Sequence, residues 1–225
     1  MKYSKYILNI RLFVFIAFIV MGVPVTFAQI NTQFNQTINP GVLSIGIVDS
    51  LYATVASPSV TFGAVNFSVA CQTTNGTLGT SSQQLYIQNP DAADNGWTIS
   101  IAANSVTSFW DGTPAGYDFN DPSGSGCADG DDADSLKGQM TVNPSVGTLA
   151  VGRCLSCTVS NISLGSQASF NEGTLDSITL LNAAAASNDV GDWIFRGIAL
   201  SQTIPSEQAV ASDYYIPMVV SIVAN

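Results

Sequence analysis

The residues able to do chemistry are few. The chain of 225 residues has four cysteines (Cys71, Cys127, Cys154, Cys157), 16 acids, six bases and no histidine. Without imidazole there is no Ser-His-Asp or Cys-His catalysis, no His-ligated zinc and no histidine pH switch. Only carboxylate pairs or a lysine remain for acid–base work, so a non-catalytic protein is expected. The acids concentrate in one Gly-rich stretch. Asp118, Asn120, Asp121, Asp129, Asp131, Asp132 and Asp134 offer the oxygens that Ca²⁺ takes, with backbone carbonyls completing its six to eight ligands. The spacing is not that of an EF-hand loop, because no Glu stands at its twelfth position and the Gly is misplaced. A solvated acidic loop is the plainer reading and a calcium site the sharper one. Trp110 and Tyr117 share this region. They either stack on sugar rings or form the loop's own small core. Trp97 begins an alternating strand, where it reads as a core anchor, with a ligand surface as the alternative.

The cysteines follow the expected compartment. Export favours disulfides, and four cysteines allow three connectivities. Cys154-Leu155-Ser156-Cys157 has the spacing of a redox or zinc knuckle. A redox pair needs a thiolate at a helix N-terminus, whereas these flanks read as strand, and a second CxxC for zinc is missing. Structural bridges are therefore expected. Pairing Cys127 with Cys154 or Cys157 would pin the long acidic loop to a neighbouring strand.

Export is read from the first 28 residues. Lys2, Lys5 and Arg11 precede an apolar run from Leu12 to Val25, and Thr26-Phe27-Ala28 supplies the small residues of a cleavage site. This pattern is a secretory signal peptide over 1–28, and no later run is long and apolar enough to span a bilayer. Its removal leaves Lys137, Arg153 and Arg196 against 16 acids, a net charge of −13. Such a chain does not bind nucleic acid unaided. Residues 29–40, rich in Asn, Gln and Thr, form an arm. Residues 41–225 form one domain, long enough for a sizeable core.

Periodicity places the elements. Trp97, Ile99 and Ile101 alternate with Thr98, Ser100 and Ala102, which is a half-buried strand. With Leu85–Gln88 and the Asn89–Gly96 turn it reads as a hairpin. Further strands are expected at Gly41–Leu51, Val60–Ala70, Gln139–Val142, Gly147–Val151, Leu155–Val159, Gln167–Phe170, Ser177–Leu181, Trp193–Gln202 and Tyr214–Ala224. Thr73–Gln83 and Asn104–Lys137 read as loops. Short strands, Gly/Pro/Asn turns and no long helix predict an all-β antiparallel sandwich or jelly-roll-like barrel.

Val65-Asn66-Phe67-Ser68, Leu85-Tyr86-Ile87 and Gly96-Trp97-Thr98-Ile99-Ser100-Ile101 resemble the first half of WxL-type bacterial surface domains. Ile204-Pro205 through Tyr214 to Ile222 resembles the closing segment of that family. Ile99 replaces the usual Leu, and Met218-Val219-Val220 stands where a second Trp-x-Leu would be. The resemblance implies a β-sandwich that holds an exported protein non-covalently to the cell wall.

The expected function is thus a secreted, non-catalytic cell-surface protein attached to the cell wall or another envelope component. One alternative is a subunit of a surface filament or layer that self-assembles by strand addition through the arm. Another is a calcium-dependent carbohydrate-binding module using Trp110, Tyr117 and the acidic loop.

Overall fold

The computed structural model describes residues 33–37, 39, 41–90, 95–130, 134–185 and 190–225. The expected signal peptide lies outside the described residues. Residues 33–37 and 39 of the arm are exposed and carry no strand. The chain divides into two units, Met1–Ile38 and Asn39–Asn225. The second holds all twelve strands found among the described residues.

Those strands form three antiparallel four-stranded sheets. The first contains, in spatial order, β1 (Ser44–Val48), β3 (Gln84–Asn89), β10 (Gly191–Arg196) and β6 (Thr148–Val151). The second contains β2 (Gln72–Leu78), β11 (Ile198–Ile204), β5 (Gln139–Asn143) and β8 (Ala168–Ser169). The third contains β12 (Met218–Ala224), β4 (Trp97–Ala103), β9 (Ser177–Ala183) and β7 (Ile162–Leu164). The all-β sandwich expected from periodicity is present. Leu85, Ile87 and Phe195 of the first sheet, Val142 and Leu200 of the second, and Ile99, Ile178 and Leu181 of the third enclose one core. Trp97 and Trp193 meet at its centre with ring centroids 5.6 Å apart. Both are fully buried, so truncating either to Ala removes a large aromatic contact worth about 3–5 kcal/mol. In β9 the consecutive residues Leu180 and Leu181 are both buried. The register shift opposite Ile99 and Ser100 is a bulge that turns both inward.

Several local expectations are corrected. Leu85–Gln88 and Trp97–Ala102 are strands but not a hairpin: β3 and β4 lie in different sheets. The polar run Gln72–Leu78 is a strand, β2, because all seven of its residues pair with β11. Val60–Ala70 is not a strand despite its alternation, and Val65, Phe67 and Val69 are 41%, 58% and 75% exposed. The segment around Leu155–Val159 is a loop rather than a strand.

The expected Trp193–Gln202 strand divides at Gly197 (φ +76°) into β10 and β11, which belong to different sheets. Its partner changes sheets too. The β2–β11 ladder ends at the Leu78–Ile198 pair, and the β3–β10 ladder resumes at Leu85–Phe195. Gly79 (φ +84°) sits at this corner, and its carbonyl accepts the Gly197 amide at 2.8 Å. A Cβ on Gly79 would lie 2.8 Å from the Arg196 Cα and 2.9 Å from the Phe195 oxygen. Glycine is thus demanded twice there, by dihedral and by backbone contact. Gly173 (φ +67°) meets the dihedral demand alone, since nothing lies near its would-be Cβ. We expect Gly79→Ala to destabilise by about 3 kcal/mol and Gly173→Ala by about 1 kcal/mol, read from urea unfolding midpoints.

Candidate functional site

The long loop between β4 and β5 is held on the second sheet by its own backbone and by one buried amide. Trp110 and Tyr117 exchange both backbone hydrogen bonds (2.7 and 3.1 Å), as do Asp111 and Tyr215 (2.9 Å each). The Asp118 amide donates to the Lys137 carbonyl at 2.8 Å, and the Met140 amide to the Phe119 carbonyl at 2.6 Å. Gln202, fully buried on the inner face of β11, accepts from Trp110 Nε1 at 2.9 Å. It donates to the carbonyls of Asp118 (3.0 Å) and Thr203 (2.8 Å). An unpaired amide there would be costly; here its hydrogen bonds position the loop.

This arrangement decides the fate of the aromatic candidates. Trp110 and Tyr117 are buried and stacked at 5.8 Å, with Phe62 edge-on to Trp110 and Tyr214 edge-on to Tyr117. They form the loop's small core, buried against one another rather than displayed on the surface. Burial, reinforced by Tyr214, pushes the Tyr117 phenol far above its ordinary range, so it stays protonated. Trp97 is a core anchor and not a ligand surface.

Among the described residues, the acidic side chains do not gather into a cage such as calcium takes. Asp118, Asn120 and Asp121 are buried and engaged internally. Asp118 Oδ1 accepts its neighbour's amide, from Phe119, at 2.7 Å, and Asn120 Nδ2 donates to the Val106 carbonyl at 3.0 Å. Both Asp121 oxygens accept backbone amides, from Ser123 (2.8 Å) and Gly130 (3.0 Å). Asp134 accepts from the Leu136 amide at 2.7 Å, and Asp129 is exposed. Asp131 and Asp132 lie outside the described residues. Among the described residues, no three acids of this loop bring their oxygens together. The run Asp118–Asp121 serves loop geometry: short polar side chains satisfy amides that no strand satisfies.

The disulfides also differ from expectation. Cys127 pairs with Cys71, not with Cys154 or Cys157, and those two pair with each other. The first bridge does pin the acidic loop, but to the segment leading into β2. It joins positions 56 residues apart, a constraint on the unfolded chain of about 4 kcal/mol in the loop-entropy model.

Two spaces open beside the loop. A groove of about 430 Å³ runs between the segment Val60–Ser68 and residues 204–214, with Trp110 and Tyr117 at its base. The exposed side chains of Val65, Phe67 and Val210 line it. A second space of about 370 Å³ is lined mainly by apolar groups, among them Ile47, Phe62, Ile101, Leu200, Met218 and Val220. Sequence reading missed both, because Val60–Ala70 looked like an ordinary paired strand.

A third arrangement gathers distant residues at Asp192 on β10. Its Oδ2 accepts from the Tyr86 hydroxyl and the Arg153 amide, each at 2.7 Å, and its Oδ1 from the Cys154 amide at 2.7 Å. The Arg153 guanidinium lies 4.9 Å from the Tyr52 ring centroid and 5.5 Å from that of Tyr86. Its Nη2 donates to the Tyr86 hydroxyl at 3.0 Å. Burial pulls the Asp192 pKa upward. The Arg153 amide, the Tyr86 hydroxyl, the Cys154 amide and the Arg153 charge outweigh it, leaving the carboxyl below its ordinary value.

Comparisons with protein-family models, with curated proteins and with solved structures return no match.

Because the Asp192 pKa is lowered by folding, its stabilisation is complete above the unfolded-chain value near 4. It is lost as pH falls through the folded value. We expect Asp192→Asn to cost about 1–3 kcal/mol at neutral pH. The variant should also show a shallower fall in Tm than the parent between pH 5 and pH 2 (roughly the carboxylate range), followed by circular dichroism.

Proposed function

We propose that this is an exported, non-catalytic surface protein whose β-domain attaches to the cell wall or to another envelope component. The observation that carries this reading is the exposed apolar side of the Val60–Ser68 groove. Asp49 is the sole charged residue between Gln29 and Pro90, whereas the chain as a whole is strongly acidic. A charge-poor groove with exposed Val65, Phe67 and Val210 suits a neutral polymer better than an ionic one. The two disulfides fit an oxidising exterior. No helix among the described residues is long and apolar enough to cross a membrane. The leader-type N-terminus and the WxL-type resemblance support the same reading.

The test is co-sedimentation with purified cell-wall material. We expect the protein to pellet with it, and Phe67→Ser with Val65→Ser to reduce the bound fraction about tenfold, as loss of two central apolar contacts would. Equal pelleting by this variant would remove the groove from the reading. A second reading, strand addition into a surface filament, is favoured by one observation. Val60–Ala70 touches β2 through the Gly63 amide, which donates to the Asn75 carbonyl, yet it belongs to no sheet. Arm residues 33–37 are exposed, Phe34 to 93%. Concentration-dependent fibres that disappear on deletion of residues 29–40 would favour that reading over wall attachment.

A further inference from the structure

The Cys154-Leu155-Ser156-Cys157 knuckle lacks a second CxxC in sequence, but the fold supplies a further ligand. Asp192 comes from β10, and one of its oxygens and the two cysteine sulfurs all lie within 4.8 Å of one another. Among the described residues this is the one group of three or more such side chains close enough to share an ion. Among the described residues, the pair Cys71–Cys127 has no third ligand of this kind.

The surroundings suit ligation. The Asp192 oxygens have about four acceptor positions. Three are taken by the Tyr86 hydroxyl and the amides of Arg153 and Cys154, which fix the carboxylate from behind as outer-shell donors do. Two glycines make the room. A Cβ on Gly191 would collide with the Cys157 sulfur, and one on Gly152 with Asp192 Oδ2. The one nearby cation, Arg153, is occupied on the Tyr52 and Tyr86 rings. The knuckle itself belongs to no strand, and Leu155 at its tip is fully exposed, so the sulfurs can separate without breaking a ladder. Tetrahedral zinc at ~2.3 Å from each sulfur asks for about 3.8 Å between them.

We propose that Cys154, Cys157 and Asp192 form a redox-gated site for a thiophilic divalent cation of the Zn²⁺ class, closed while the disulfide stands and open once it is reduced. A dithiol reductant breaks the Cys154–Cys157 bond by exchange. It leaves as its own cyclic disulfide, and the protein gains two electrons and two protons as a pair of thiols. Zn²⁺ then binds both sulfurs and displaces the two thiol protons to solvent. The ligand set is two thiolates and one carboxylate, and water fills the fourth position, as in open zinc sites. Disulfide and metal are exclusive states of one loop, so bound metal also protects the pair from reoxidation.

The test uses Co²⁺ as a spectroscopic stand-in, on protein reduced with a phosphine under anaerobic conditions. Alkylation and mass mapping show which bridge has opened, and circular dichroism shows that the fold persists. We expect one Co²⁺ per chain with thiolate-to-metal charge-transfer absorption, displaced by Zn²⁺ and absent from the oxidised protein. The signal should persist in Cys71→Ser/Cys127→Ser, vanish in Cys154→Ser/Cys157→Ser, and bind about tenfold or more weakly in Asp192→Asn. Should the Cys71→Ser/Cys127→Ser protein fail to fold, loss of the signal from Cys154→Ser/Cys157→Ser alone gives the same answer. The proposal is overturned if the folded protein with its Cys154–Cys157 bridge open shows no charge-transfer band. It is equally overturned if the band survives loss of both cysteines, or if Asp192→Asn binds as tightly as the parent.

Discussion

Chain that pairs with nothing must still satisfy its amides and carbonyls, and here two buried side chains on central strands help to meet that demand. Gln202 reaches from β11 to Trp110 and Asp118, and Asp192 reaches from β10 to Arg153 and Cys154. Each is a buried polar group, and burial would be expensive if its partners were absent. The long β4–β5 loop and the cysteine knuckle hang from these two anchors. Both anchors lie between two hydrogen-bonded neighbours in their sheets, so the loops inherit the rigidity of the best-supported strands.

The same two strands are joined through Gly197, opposite Gly79. At this corner the chain leaves one sheet and enters another without losing its partner: β2 with β11 becomes β3 with β10. One core can therefore be enclosed by short sheets, with Trp97 and Trp193 from different sheets meeting inside. The arrangement leaves edges. Val60–Ser68 lies along one of them without joining a ladder, and its Val65 and Phe67 side chains remain in solvent. That exposed face and the charge-poor sequence around it are the physical basis for an attachment surface.

The acidic loop shows how composition misleads when geometry is missing. Asp118, Asn120 and Asp121 are the right donors for calcium, yet their hydrogen bonds go to the chain's own backbone. A short carboxylate beside its own amides is as useful for closing a turn as for holding an ion. Trp110 and Tyr117 repeat the lesson. In sequence they are aromatic residues among polar ones, and in three dimensions each completes the other's burial.

The alternation of Trp97–Ala102 and of Ser177–Leu181, the Gly- and Asn-rich turns, and the lack of any helical period determined the all-β class by themselves, because side-chain burial on a strand repeats every two residues. The absence of histidine likewise settled which chemistries are unavailable. Tertiary structure alone decided which strands are neighbours, that β2 is a strand although its residues are polar, and that Val60–Ala70 is not one although it alternates. Strand pairing is set by what lies alongside, and that neighbour is distant in the chain. Disulfide pairing has the same origin: Cys71 and Cys127 meet because of where the acidic loop packs. Asp192 meets Cys154 and Cys157 because β10 lies beside β6, a contact between segments some forty residues apart (an extended-chain distance of roughly 130 Å) that no local pattern encodes.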